Sequence, residues 1–298
     1  MSNPVLAAAE PNEADHAAVR FGALIARIAR ARLEVVIVDV EISPVLGISA
    51  NYQDQPYGLA QAQREPGGCT AMLEDVEAEL VAAGVKVDCL RMPAASAAGA
   101  LQTAAEREDA GLLVIGSAPG GTHGRVVSGS TADRLFAGSP CPVAIVPLGW
   151  DSSSGPPRTI GVAYVDTEEG RGALRAAVTL ARWLEARLHV VTVIEDPGER
   201  AAAEQHLQRV ASQFGVGVEC SVHVLTGDPA DKLIAESGGL DVLVCGSRGY
   251  GPIRAVLLGS VSHRVVRGAQ CPVIVVPRGL QAPLDDLVGA AARVGAHS

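Results

Sequence analysis

A set of short motifs recurs in this chain at one fixed offset. Gly116-Ser117, Gly129-Ser130, Cys141-Pro142-Val143 and Pro147 return 130 positions later as Gly246-Ser247, Gly259-Ser260, Cys271-Pro272-Val273 and Pro277. Constant spacing over such a stretch marks an internal duplication, so the chain reads as two copies of one folding unit. Earlier, Val35-Val36-Ile37-Val38 matches Val190-Val191-Thr192-Val193 at an offset of 155, so the first copy carries roughly 25 additional residues between these landmarks. Their expected place is 41–65, a stretch rich in Pro, Gly, Gln and Asn without periodicity, which reads as an inserted surface loop. A chain of 298 residues suits two domains. We place them at 1–148 and 158–278, with a tail at 279–298; the link between the domains contains three serines, Gly155, Pro156 and Pro157.

Within each copy, short apolar runs alternate with longer amphipathic ones. In the first, strands are expected at Val5–Ala9, Leu33–Val40, Val85–Arg91, Leu112–Ile115 and Val143–Val146. Helices are expected at Ala14–Arg32, Cys69–Ala83, Ala94–Glu108 and near Ser130–Ala137. In the second, strands are expected at Thr159–Val165, Leu188–Ile194, Val216–Leu225, Leu240–Cys245 and Val273–Val276. The helices there are Glu168–Ala186, Gly198–Phe214, Asp228–Glu236 and Val261–Arg267. This alternation predicts an α/β fold, with two tandem domains whose mostly parallel sheets are covered on both faces. In the tail, Leu284, Leu287, Val288 and Ala291 have the spacing of a short amphipathic helix.

Composition excludes several classes. The chain is 48% hydrophobic and 19% charged, unlike a disordered segment. Only 3% is aromatic, which argues against base-stacking platforms, and a net charge of −9 argues against a nonspecific nucleic-acid binder. No apolar run reaches the length of a membrane span, and the N-terminus has no secretory pattern, so we expect a cytoplasmic protein without a membrane partner. Cys69, Cys89, Cys141, Cys220, Cys245 and Cys271 contain no C-x-x-C pair, and buried free thiols are the expected state.

The chemistry-bearing motif is Gly246-Ser247-Arg248-Gly249, nine residues, then Gly259-Ser260. It follows one apolar run and opens another, which reads as strand, glycine loop and helix. A backbone free of side chains at Gly246, Gly249 and Gly259 can approach a phosphate, and helix N-terminal amides can bind it. Ser260 is the expected cap of a helix starting at Val261, and Arg248 is within reach of a phosphate. A purely structural turn is the competing reading. The first copy departs from the pattern, because Pro119 stands where the second glycine is expected and removes an N–H donor. Gly116, Gly129, Ser130 and Thr131 are therefore its weaker candidates.

Together, the loop Gly246-x-x-Gly249-x9-Gly259-Ser260, the two Cys-Pro-Val…Pro strands (Cys141–Pro147 and Cys271–Pro277) and the element order resemble a tandem universal stress protein over nearly the whole chain. The resemblance implies five-stranded, Rossmann-like domains of the adenine nucleotide alpha hydrolase type, paired through their last strands. It implies ATP, with Mg2+ entering only alongside its phosphates, held by Gly246, Arg248, Gly249, Gly259, Ser260 and Val261. An acidic residue after the first strand would face the adenine side: Asp166 in the second copy, one step later than the family pattern, and Glu10 in the first. An apolar residue near Val193 belongs to the same set. The implied role is a stress-response regulator that forms a homodimer and acts on an unidentified protein partner. A nucleotide-free scaffold and a slow ATPase or self-phosphorylating protein, with Ser260 or Thr131 as acceptor, are the alternatives. We assign no catalytic residue. His189 and His223 fall on strands and read as structural, His123 as a solvated loop residue and His263 as a surface or interface residue. No residue spacing suggests a metal site.

Overall fold

The computed structural model describes residues 2–9, 16–40, 63–65, 80, 84–118, 123–151, 155–214, 217–247, 259–280 and 284–287. The first copy runs β1 (Val5–Ala9), α1 (Ala17–Ala29), β2 (Leu33–Val40), β3 (Gln63–Glu65), β4 (Val87–Ala94), α2 (Ala97–Arg107), β5 (Leu112–Gly116), α3 (Ser130–Gly138) and β6 (Val143–Val146). The second runs β7 (Thr159–Ala163), α4 (Glu168–Leu184), β8 (Arg187–Ile194), α5 (Arg200–Phe214), β9 (Cys220–Thr226), α6 (Pro229–Glu236), β10 (Val242–Gly246), α7 (Ser260–Val265) and β11 (Val273–Val276). The expected helix at Cys69–Ala83 falls almost wholly outside the described residues.

The strands of the described residues join one 11-stranded sheet in the order β3-β4-β2-β1-β5-β6-β11-β10-β7-β8-β9. Pairing is parallel within each copy except at β3. The copies meet where β6 and β11 pair antiparallel, Ala144 opposite Ile274. Both strands are buried throughout, and their side chains divide between two apolar layers. Ala144, Val146, Ile274 and Val276 join the layer under α1 and α4, while Val143, Ile145, Val273 and Val275 join the layer under α2, α3, α6 and α7. Such two-faced apolar strands belong in the middle of a sheet.

Local chemistry moved several expected boundaries. Helix α2 starts three residues late because Ser96 caps it, accepting from the Gly99 N–H at 3.2 Å. The expected start at Gly198 is a 3-10 turn, Pro197–Glu199, whose Gly198 N–H is taken by Asp196. Strand β9 begins at Cys220, after a turn in which Gly217 has φ +79. The insertion is not wholly a loop: Gln63–Glu65 pairs antiparallel with β4 and makes the sheet's first edge, while 41–62 lies outside the described residues. In the tail, Asp285–Leu287 forms a 3-10 turn instead of the expected helix. Leu287 is fully buried, and a Cβ at Gly111 would come within 2.5 Å of it, so Gly111 makes room for the tail. Residues 288–298, with Val288 and Ala291, lie outside the described residues.

The cysteines require one correction. Cys89 is disulfide-bonded, to a partner outside the described residues. Pairing depends on Cβ positions that linear spacing does not show. Cys141, Cys245 and Cys271 are buried free thiols, and Cys220 is a half-buried one. Burial pushes the Cys141 thiol up to about 11 and those of Cys245 and Cys271 up to about 12. Because the thiolate is the nucleophile, these three are expected to resist iodoacetamide at pH 8 in the folded protein, with Cys220 labelled first. Peptide mass mapping before and after denaturation checks this order.

Candidate functional site

In each copy the strand order reverses direction beside the first strand. The chain leaves β1 toward β2 and β4, then returns to lay β5 on the other side of β1. The carboxyl ends of β1 and β5 therefore diverge and leave a crevice, the usual ligand position in open parallel sheets. A cleft of about 670 Å³ opens there in the first copy. Its walls are apolar: Ala8 and Ala9 end β1, Val36 and Val38 come from β2, and Leu101 comes from α2. Its floor is the turn Gly116–Ala118, and its far side is the start of α3, Gly129 through Ala132. The size lies within the range of small-molecule sites.

The start of α3 supplies the polar face. Gly129 is its N-cap and offers no side chain, and the first-turn amides of a helix have no carbonyl of their own helix to bond. With the helix dipole they form a binding surface for an anion. A Cβ on Gly129 would sit 3.3 Å from that of Ala118, so glycine lets helix and turn close together. Ser117 holds the turn: its Oγ donates to the Val146 carbonyl at 3.0 Å and accepts from the Val127 N–H at 3.2 Å.

The second copy braces this loop. Val126 N–H donates to the Ala269 carbonyl at 2.8 Å, and Ser128 N–H donates to the Val266 carbonyl at 3.1 Å. Arg267 donates to Ser128 Oγ and to Asp133, both at 3.2 Å, and His263 lies 3.6 Å from Asp133. His263 is thus an interface residue, and the loop before α3 is set by both copies.

Gly116, Gly129, Ser130 and Thr131 are brought together by the fold on one cleft. Sequence reasoning missed Asp39, the one titratable side chain that the described residues place on its lining; Asp39 is paired with Arg91 at 3.4 Å. Its position at the end of β2 was the available signal. Glu10 falls outside the described residues, as do Arg248, Gly249 and Pro119.

In the second copy the expected roles change. At Gly246 a Cβ would meet the Glu169 carbonyl and Cβ at 3.0 Å, so glycine allows α4 to pack on β10. Its carbonyl accepts from Ser262 Oγ at 2.8 Å. Ser260 is not a cap. It is the first residue of α7, Gly259 is the N-cap, and no side-chain bond closes that end. The Gly259 N–H is already taken by the Ser247 carbonyl at 2.7 Å. Val261 lies in the first turn of α7, and Val193 lies within β8, 6% exposed, rather than after it. Asp166 turns toward α4 and α5: Arg171 donates to it at 2.6 Å, Tyr164 at 3.3 Å, and His206 lies 3.8 Å away. The Arg171 hydrogen bond holds its carboxyl below the usual range. These helices cover the sheet face opposite α7.

Comparison with known proteins agrees with this architecture. The model of the universal stress protein family matches residues 1–147 and again 157–277. The universal stress protein Rv2319c of Mycobacterium tuberculosis is 27% identical over 217 residues, 66% of this chain and 74% of that protein. A crystal structure of a putative universal stress protein from Pseudomonas aeruginosa UCBPP-PA14 superposes with a TM-score of 0.68 at 17% identity, covering 96% of this chain and 95% of that one. A universal stress protein from Archaeoglobus fulgidus gives 0.64 at 23% identity, over 94% and 97%. These structures share the fold. Among the described residues, no helix is long and apolar enough to cross a membrane.

Proposed function

This chain belongs to the universal stress protein family, and from that premise we propose that it is an ATP-binding regulator of a cytoplasmic stress response. The observation that carries the proposal is the first-copy cleft, with apolar walls for a base and unpaired helix amides for phosphates. In this reading the α- and β-phosphates sit against the first turn of α3, and the adenine lies between β2 and α2. Mg2+ enters with the phosphates. In this reading the protein binds without turnover: Asp39, the one titratable side chain that the described residues place on the cleft, is already paired with Arg91. Binding is read out by a protein partner and by a homodimer. Because β6 and β11 are interior strands here, a second chain must dock on another surface.

A second reading, a nucleotide-free scaffold, draws support from the second copy, where Gly246 and Gly259 have structural roles. The deciding measurement is the nucleotide content of purified protein. After denaturation, chromatography and mass spectrometry are expected to return at least one adenine nucleotide per chain. A protein that is empty and also ignores added Mg-ATP in calorimetry is the scaffold.

A further inference from the structure

The parallel pairing of β8 with β9 sets His189 opposite Ser221 and Val191 opposite His223. Residues two apart on a strand share a face, so His189, Ser221 and His223 project to the same side, the side that α6 covers. Helix α6 runs back along the sheet and ends at Glu236, whose Oε1 lies 3.3 Å from His223 Nδ1. The imidazoles of His189 and His223 lie 4.6 Å apart with planes 20° from parallel. One ligand atom from each of the three residues lies within 4.8 Å of the others.

We propose that His189, His223 and Glu236 form a binding site for a divalent late first-row metal ion, zinc foremost, with water as the fourth ligand. Two zinc bonds of about 2.0–2.1 Å meeting at the tetrahedral angle place their ligand atoms about 3.3–3.4 Å apart, and the His223–Glu236 spacing of 3.3 Å matches. Ser221 Oγ lies 3.1 Å from His223 Nε2. With the Nε2 proton on that hydroxyl, Nδ1 turns its lone pair toward Glu236, as an outer partner orients a metal-binding imidazole. Two imidazoles and one carboxylate suit zinc, cobalt or nickel and not magnesium or calcium, which take oxygen ligands. The three side chains are partly buried, so the ion would be reachable from solvent. It would tie the end of α6 to the last two strands of the sheet, at the opposite end of the strands from the phosphate-binding edge. The site is therefore independent of the nucleotide proposal.

The test uses the full chain without an affinity tag, stripped with chelator and titrated with zinc sulfate in a calorimeter. Cobalt serves as the spectroscopic probe. One zinc per chain, a zinc-dependent rise in the thermal midpoint, and cobalt bands without thiolate charge transfer are expected. Glu236→Gln and His223→Asn should each weaken zinc binding by at least about tenfold, and Ser221→Ala by about tenfold through lost orientation. Melting without zinc confirms that each variant is folded. If His223→Asn fails to fold, Glu236→Gln at the helix end decides. Absence of saturable zinc binding by the wild-type chain overturns the proposal. So does zinc affinity unchanged in whichever of Glu236→Gln and His223→Asn is folded.

Discussion

Gly129→Asp is expected to remove one adenine nucleotide per chain while leaving the chain folded, the gain of a side-chain cap offsetting the tight 3.3 Å approach of its Cβ to that of Ala118. Gly129 is the N-cap of α3, with φ −103 and ψ −177, a conformation open to any residue. Aspartate is among the best N-caps because its carboxylate accepts from the N2 or N3 amide. The same carboxylate occupies the donors that a phosphate needs and adds a like charge beside it. Like-charge juxtaposition costs several kcal/mol, so affinity at this cleft should fall by at least about 100-fold, or about 2.7 kcal/mol. Calorimetry and a nucleotide count, beside a thermal melt, measure both halves of the expectation. An unchanged count with an unchanged melt would mean that the ligand does not use α3. Gly259→Asp, made in parallel, asks the same question of α7, so the two variants assign each bound nucleotide to a copy.

Gly170→Ala should destabilise the protein by roughly 2–4 kcal/mol, against the ordinary sign of this substitution. Inside a helix, alanine is favoured over glycine by about 1 kcal/mol. Gly170 is the third residue of α4, where its N–H donates to the capping Thr167 Oγ at 3.1 Å. Thr167 N–H in turn donates to the Val165 carbonyl at 2.7 Å, which folds the chain back over the helix start. A Cβ on Gly170 would run into that Val165 carbonyl. A backbone group fixed by a cap has little room to move, so strain replaces the usual gain. A fall in the thermal midpoint of roughly 3–6 °C follows from the size of the chain. Gly172→Ala is the control. A Cβ there meets nothing closer than 3.8 Å, so the usual stabilisation of about 0.5–1 kcal/mol should return. Equal effects from the two variants would remove the steric argument.

Much of the architecture was legible because periodicity reports burial. Leu33–Val40, Val143–Val146 and Val273–Val276 form strands at their expected bounds, since a β-branched run with two apolar faces has few other stable states. Helix starts were unevenly legible: α4 begins at Glu168 as expected, behind its Thr167 cap, while α2 begins three residues late because Ser96 caps it and hydrophobic periodicity does not register a cap.

The site divides in the same way. The duplicated Gly-Ser landmarks fall at the carboxyl edge of the sheet, because a glycine turn after a buried strand leaves few other paths to the next helix. What each glycine does was decided elsewhere. Gly246 is small because Glu169 of α4 lies against it, and the Ser128 loop is fixed by Arg267, 139 residues away. His189, His223 and Glu236 meet only through strand register and the return of α6. The sequence by itself determined the duplication and the parallel α/β architecture, since these follow from local pattern and repeat; the strands joining the copies were an expectation drawn from the family resemblance. Which glycines line the cleft and which pack against protein, which cysteine is bridged, and which histidines lie beside a carboxylate were decided only in the tertiary structure. Those outcomes depend on contacts between segments far apart in the chain, and local propensity carries no information about such contacts.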